Sequence, residues 1–238
     1  VFAWDGVGLG EDGTLWGGEA LTGAPGRWQR VASMRPFRLP GGDKVGREPW
    51  RTAAALLWES GQTAPFAPAP LHQAWAQGIN SPASSAVGRL FDAAAALCGI
   101  CHRASFEGEG PMRLETLAAK SVGEAVGLPL ERDAEGIWRS DWAPLLSMLT
   151  DGALSTAERA ARFHLSLAQA LVDQAKQLRA QTGIQTMGLT GGVFQNRVLA
   201  EAAIGQLEVA GFAAHLPQRI PVSDAGLSFG QVIEFLHR

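Results

Sequence analysis

A strand, loop, helix and strand pattern near the end of the chain constrains the fold more than any other feature. Thr186–Leu189 and Phe212–Leu216 have strand-like patterns, and Arg197–Ala210 between them has a helical pattern. Strands joined by a helix of this length normally pair in parallel through a right-handed crossover. A last helix is predicted over Ser223–Leu236. This end of the chain is therefore predicted to be an α/β layer.

The start of the chain predicts a hairpin and a third strand. The apolar run from Val1 enters the turn-rich stretch Asp5–Gly13, and strand patterns follow at Thr14–Leu21 and Trp28–Met34. The chain opens without an initiator Met or a polar lead-in, so we expect it to be a fragment of a longer protein.

The middle of the chain is predicted to be helical. Four Ala-rich stretches with helical spacing occupy Arg51–Glu59, Ser84–Leu97, Met112–Val126 and Thr156–Gln181. We therefore predict that residues 1–44 and 184–238 form one α/β layer and that residues 45–183 form a helical lobe.

Composition excludes several classes of protein. With 20 basic and 23 acidic residues, the chain has no net field that would attract nucleic acid. Apolar runs such as Ala93–Cys98 are too short to cross a bilayer, so no membrane partner is expected. Two cysteines cannot form a disulfide framework, which favours a reducing, cytoplasmic location.

Two glycine-rich segments suggest a ligand cleft. Gly191 and Gly192 stand between a predicted strand and a helix, where free backbone N–H groups favour an anion such as phosphate. Asn196 could contact a ligand or only cap the helix, and a plain tight turn fits equally well. Asp5–Gly10 follows a strand at the other end of the chain, and together the two segments predict a phosphate held between them.

Carboxylates occur beside these breaks in structure. Asp224 begins the last predicted helix, where it could cap that helix or face Asp5 as an oxygen ligand of a cation. Asp92 interrupts an apolar helix, so it must be solvated, paired with a residue such as Arg89, or bonded to a ligand. Glu107–Gly110 could also let a ligand approach closely, although it would be an ordinary surface loop if taken alone.

The segment Cys98–His102 matches the pattern for covalent haem attachment. Because Cys98 continues the apolar face of a helix and no export signal is present, we interpret the two cysteines as buried thiols. The remaining histidines show no metal-ligand spacing and are interpreted as structural or surface residues: His72, His164, His215 and His237.

Taken together, these segments resemble the HypF family, the carbamoyltransferases that mature nickel–iron hydrogenases. The resemblance rests on segments that occur in the family's order over nearly the whole chain: Asp5–Glu19, Leu39–Asp43, Arg47–Pro49, Ser84–Ser85, Gly88–Asp92, Glu107–Gly108 and Gly191–Arg197. It implies an α/β fold of the RNase H-like, actin-like type, with a large helical insertion and a nucleotide between lobes.

The resemblance also implies a reaction. In the family, carbamoyl phosphate and ATP give carbamoyl-adenylate in an upstream domain, and this domain passes the carbamoyl group to the C-terminal cysteine of the partner HypE. The thiocarbamate later becomes the cyanide ligand of the hydrogenase iron. The implied cofactors are the AMP moiety of the adenylate and a divalent metal ion, with Mg, Fe and Zn left open.

The family's site residues are assigned to this chain only by resemblance, at the positions that match the family's motifs. The metal ligands would be Asp5 and Asp224, the phosphate side Gly6, Val7, Gly8 and Leu9, and the adenosine contacts Asp92, Gly108 and Asn196. The family's metal site also uses a His-x-x-x-His pair, which the chain does not contain and which we expect upstream of Val1.

Two alternatives stay open. The first is a transferase that carbamoylates a small-molecule hydroxyl, and the block Leu39–Asp43 with Arg47–Pro49 favours the hydrogenase type over it. The second is a non-catalytic lobe that only docks the partner, which the absent histidine pair would suit.

Overall fold

A mixed β-sheet runs through the structure, a computed structural model that describes residues 1–237. Its strands are Phe2–Leu9 (β1), Leu15–Thr22 (β2), Gln29–Met34 (β3), Phe37–Arg38 (β4), Ala83–Ser84 (β5), Leu130–Arg132 (β6), Trp138–Ser140 (β7), Thr186–Thr190 (β8) and Ala213–His215 (β9). Along the sheet the order is β6, β7, β3, β2, β1, β8 and β9, while the short β5 pairs with β2 and β4.

The two ends of the chain meet in the centre of this sheet. Strand β1 pairs with β2 in the antiparallel sense and with β8 in the parallel sense, where Phe2 lies opposite Leu189. Strands β8 and β9 are also parallel, as predicted for the strand, helix and strand unit. The predicted α/β fold class is confirmed, and strand ends from distant parts of the chain lie side by side.

Strand β1 is longer than predicted. The segment from Asp5 onward was predicted to be a turn, but β1 continues to Leu9 because its pairing with β2 resumes, Gly8 opposite Trp16, after a register shift. Only residues 10–14 are left to turn the chain. Gly6 and Gly8 therefore lie within a strand, and Gly10 and Gly13 lie in the turn that follows it.

Eight α-helices lie among the described residues. They are Pro49–Glu59 (α1), Ala69–Ala76 (α2), Val87–Leu97 (α3), Glu109–Ala118 (α4), Pro144–Thr150 (α5), Thr156–Thr182 (α6), Arg197–Val209 (α7) and Leu227–Leu236 (α8). Helix α3 packs against α1, α4 and β1, so almost all its residues are buried. The first turn of this helix lies beside Asp5 and Gly6 in the middle of β1.

The middle of the chain is not wholly helical. Strands β5, β6 and β7 lie within residues 45–183 and join the same sheet, so the division into an α/β layer and a helical lobe remains a prediction. The helix predicted to reach Val126 ends at Ala118, because the chain then packs against α6, where the N–H of Val126 donates to Ser166 Oγ (2.8 Å).

Helix α6 has clear start and stop signals. Ser155 and Glu158 form a reciprocal capping box at its first turn, and Gly183 ends it with φ of 74°. Its buried face carries small and apolar side chains at helical spacing, together with His164, which is fully buried. A polar ring on such a face requires hydrogen-bond partners.

The last helix differs from the others. Helix α8 is apolar, yet none of its described side chains is buried, and Phe235 is 74% exposed. Across residues 1–237, no helix combines the length and the apolar character that crossing a membrane requires.

Candidate functional site

A cavity of about 450 Å³ lies where β1, α3 and the loop after β8 meet. We call it the nucleotide-side cavity. It brings together six of the residues predicted from the sequence: Asp5, Gly6, Gly108, Gly192, Asn196 and Asp224. Its other walls include Gly88 and Arg89 of α3, Glu107, and Glu115 of α4. Residues separated by more than half the chain therefore share one space.

A second cavity of about 1170 Å³ is also lined by Asp5, and we call it the rim cavity. It is lined by the remaining glycine-segment residues of the prediction: Val7, Gly8, Leu9 and Gly191. Asp5 and Asp224 line both cavities, and α8 forms one wall of the rim cavity. The two carboxylates thus belong to the walls of both cavities.

Glycine is required where the walls approach each other most closely. Gly191 has φ of 100°, and a Cβ there would lie 2.1 Å from the carbonyl oxygen of Trp4. A Cβ on Gly88 would lie 2.7 Å from the Cα of Gly6, so only glycine lets α3 contact β1. Phe194 stacks on Trp4 with 5.5 Å between the ring centroids, which fixes the glycine loop against the strand.

The two predicted metal ligands line the same space but do not form a complete site. One oxygen of Asp5 accepts the N–H of Gly6 (2.7 Å), and Asp224 is exposed at the start of a short 3₁₀ turn. No group of three His, Cys, Asp or Glu side chains suited to a metal occurs within the described residues 1–237. Two carboxylates can supply only part of the oxygen shell of a hard cation.

Asn196 is held on two sides. Its side-chain oxygen accepts the N–H of Leu199 (2.9 Å) and caps α7, while its side-chain N–H donates to Nε2 of His164 (2.9 Å). Because Nδ1 of His164 lies 2.7 Å from the carbonyl oxygen of Ala160, Nδ1 carries the proton and Nε2 accepts. Burial lowers the pKa of His164 to about 4, so the ring is neutral.

From the sequence alone, His164 is interpreted only as a structural or surface residue, and its contact with Asn196 is not predicted. The available signal was its position one turn beyond Ala160 on a largely apolar face, where a ring must be hydrogen-bonded. What no local pattern showed was that the loop ending at Asn196, 32 residues later, would provide the partner.

Asp92 does not line either cavity. Its side chain is buried beneath Arg89, whose Nη1 lies 2.9 Å from Oδ2 of Asp92. Burial raises the pKa of Asp92 to about 7, against the opposing effect of the nearby Arg89 guanidinium. The predicted adenosine contact at Asp92 therefore stays a prediction, and the side chain that faces the nucleotide-side cavity is Arg89.

The two cysteines are buried thiols, as interpreted from the sequence. Cys98 and Cys101 are both free and less than a tenth exposed. Burial raises the pKa of Cys98 to about 11, so its reactive thiolate form is disfavoured. Neither thiol lines the cavities described above.

Comparisons with known proteins agree on one family. A family model described as "Carbamoyltransferase, Kae1-like Domain, second subdomain" matches residues 1–231. The chain is 43% identical to Carbamoyltransferase HypF of Rhodobacter capsulatus, covering 98% of this chain and 31% of the relative. It is 38% identical to the Carbamoyltransferase HypF homolog of Cupriavidus necator, covering 96% of this chain and 63% of that protein.

Solved structures give the same result. A crystal structure of full-length HypF in the phosphate- and nucleotide-bound form matches with a TM-score of 0.88 and 29% identity, over 98% of this chain and 32% of that one. The crystal structure of T. kodakarensis HypF matches with a TM-score of 0.86 and 28% identity, over 99% and 34%. The chain thus spans about a third of the length of these two proteins and of the R. capsulatus relative.

Proposed function

Because this chain belongs to the HypF family of carbamoyltransferases, we propose that it forms the part that transfers a carbamoyl group from carbamoyl-adenylate to a protein thiol. The acceptor in this proposal is the C-terminal cysteine of a HypE-type maturation protein in the cytoplasm, and the product leads to the cyanide ligand of a hydrogenase. Two free thiols agree with a reducing compartment.

One observation carries the proposal. The nucleotide-side cavity is built from Asp5 and Gly6 at one end of the chain and from Gly192, Asn196 and Asp224 at the other. Glycine-lined backbone of this kind suits the close approach of an anionic group. A structure with the same fold was solved with phosphate and nucleotide bound.

The chemistry proposed is acyl transfer. The partner's thiolate attacks the carbamoyl carbon, the new C–S bond forms, and the bond from that carbon to the phosphate oxygen breaks. AMP leaves with the electron pair, and the thiol proton has already gone to solvent. Backbone N–H groups of the glycine segments would stabilise the negative charge that develops on the reacting oxygens.

A divalent cation, when bound, would neutralise charge on phosphate oxygens. Asp5 and Asp224 would supply two of its oxygen ligands in this proposal, and no step above depends on it. Binding of Mn²⁺ should therefore weaken in Asp5→Asn and in Asp224→Asn and stay unchanged in Asp173→Asn, a carboxylate on α6 outside both cavities.

Calorimetry and mass spectrometry together test the proposal. We expect the chain to bind AMP and ADP, and we expect the carbamoyl group to appear on the acceptor's C-terminal cysteine when carbamoyl-adenylate is supplied. A docking lobe would bind neither nucleotide nor cation. Carbamoylation of a small-molecule hydroxyl, with no modified cysteine, would instead support the other transferase.

A further inference from the structure

Arg89 is a buried cation with unused hydrogen-bonding capacity. It lies in the first turn of α3, is 6% exposed, and contacts Asp92 through Nη1. Its Nε–H is buried with no hydrogen-bond partner among the described residues. A guanidinium has five N–H donors in a planar fork, so a group bound beside it could use those that Asp92 leaves free.

Most of the charged side chains that line the nucleotide-side cavity are acidic. Four carboxylates line this cavity, from Asp5, Glu107, Glu115 and Asp224, and among its described lining residues Arg89 supplies the one cationic side chain. An anionic ligand would be repelled by the carboxylates and attracted by this guanidinium. A bound phosphate therefore has one favourable side-chain charge to approach.

Two glycines leave room around the guanidinium. A Cβ on Gly6 would lie 3.3 Å from Nη2 of Arg89, and a Cβ on Gly46 would lie 3.3 Å from Nη1. Gly6 belongs to the strand whose glycine segment is proposed as the phosphate side. The guanidinium of Arg89 therefore lies between β1 and the segment around Gly46, which follows Leu39–Asp43.

Residues 46–48 have no role in the function proposed above. Their contacts nevertheless hold a loop that reaches the nucleotide-side cavity. The carbonyl oxygen of Arg47 accepts the N–H of Ala104 (3.0 Å), and Glu48 lies 3.4 Å from the guanidinium of Arg103. The loop that these residues hold continues into Glu107 and Gly108, which line the cavity. Gly46 thus lies beside Arg89, and the next two residues hold the loop that reaches the cavity.

We infer that Arg89 is the residue that recognises the phosphate of the bound nucleotide, and that Gly46 keeps its guanidinium in place. This inference rests on the proposed function, since it assigns a specificity role within the same cleft. It goes beyond the proposed function in one respect: the cleft distinguishes AMP from adenosine through the side chain of Arg89.

Titration calorimetry with AMP and with adenosine tests the inference on the full chain. We expect the double variant Arg89→Gln with Asp92→Asn, which leaves no buried charge unpaired, to bind AMP about 10- to 100-fold more weakly than Asp92→Asn alone does, and to bind adenosine as Asp92→Asn does. The matched control is Lys176→Gln with Asp173→Asn, a second pair with i, i+3 spacing on α6, which should change neither affinity.

Two single variants keep the test independent of folding of the double variant. Arg89→Lys keeps the charge but lacks the planar fork, so AMP affinity should fall while thermal melting stays cooperative. Gly46→Ala should lower AMP affinity several-fold by displacing Nη1, again with adenosine affinity unchanged.

The outcomes separate the two claims. If the unaltered chain binds neither AMP nor adenosine, the proposed function fails and this inference fails with it. If it binds AMP but the Arg89 variants keep their preference for AMP over adenosine, or lose both ligands equally, the role of Arg89 is overturned and the nucleotide cleft stands.

Discussion

The side-chain N–H of Asn196 donates a hydrogen bond of 2.9 Å to the buried ring of His164, and this contact joins the candidate cleft to the core. The same asparagine caps α7 with its oxygen, while His164 is held by Ala160 one turn earlier in α6. The orientation of Asn196 at the cavity wall is therefore set from inside the protein.

Substitution of Asn196 should affect both the stability of the protein and the pKa of the His164 ring. Asn196→Ala removes a helix cap and leaves Nε2 of His164 buried without a partner, so we expect about 2–3 kcal/mol less free energy of unfolding. Asn196→Asp keeps the cap but places a carboxylate beside the ring, so the pKa of His164 should rise from about 4. Denaturant titration measures the first effect and NMR titration the second, and an unshifted ring pKa in Asn196→Asp would contradict the contact.

His164 also predicts how stability depends on pH. Its folded pKa of about 4 lies below its ordinary value of 6.5, so the unfolded chain binds the proton more tightly. The contribution of the neutral His164 ring to the free energy of unfolding is complete above pH 6.5. It is lost as the pH falls towards 4, by up to about 3 kcal/mol.

Denaturation of the unaltered chain and of His164→Gln from pH 7 to 4 isolates this contribution, because Gln does not titrate. The difference between their unfolding free energies should shift in favour of the variant as the pH falls. The control, His102→Gln, changes an exposed ring and should not show this shift. A constant difference for His164→Gln would show that the ring is not buried and neutral.

Adjacent glycines should respond differently to the same substitution. Gly191→Ala places a Cβ 2.1 Å from a backbone oxygen in a conformation reserved for glycine, so we expect a loss of about 3 kcal/mol or more. Gly192→Ala places its Cβ 3.1 Å from Oδ1 of Asp5, which can move, so stability should change by less than about 1 kcal/mol.

Mn²⁺ should instead bind more weakly to Gly192→Ala than to the unaltered chain if Asp5 is a ligand. Thermal melting and metal titration of both variants are the measurements. Equal stability of the two proteins would mean that the Gly191 backbone is not as tightly placed against Trp4 as described.

Glu19 is a buried carboxylate that organises the hairpin beside the rim cavity. It accepts the N–H groups of Gly17 and Gly18 and the hydroxyl of Ser85, and burial raises its pKa. Glu19→Ala leaves these donors unpaired and should cost about 2–4 kcal/mol. Glu19→Gln keeps one oxygen for the amides and should cost less than half as much, as measured by denaturant unfolding, whereas equal costs would point to packing rather than to hydrogen bonds.

Local patterns in the sequence were sufficient for the α/β fold class, for most helices, and for the glycine loop between β8 and α7. They were less reliable at element ends. The strand β1 runs past Asp5 and α4 stops at Ala118, because pairing with β2 and packing against α6 decide those boundaries. Strands of two or three residues such as β5 carry too few positions for an alternating pattern.

The sequence by itself determined that glycine-rich segments and carboxylates lie in or beside strands at both ends of the chain. Only the tertiary structure decided which of them meet, that Arg89 rather than Asp92 faces the cavity, and that His164 supports Asn196. The physical reason is that spacing along a helix or strand fixes which face a residue occupies. Its partners across the fold depend on packing among elements far apart in the chain, which no local pattern encodes.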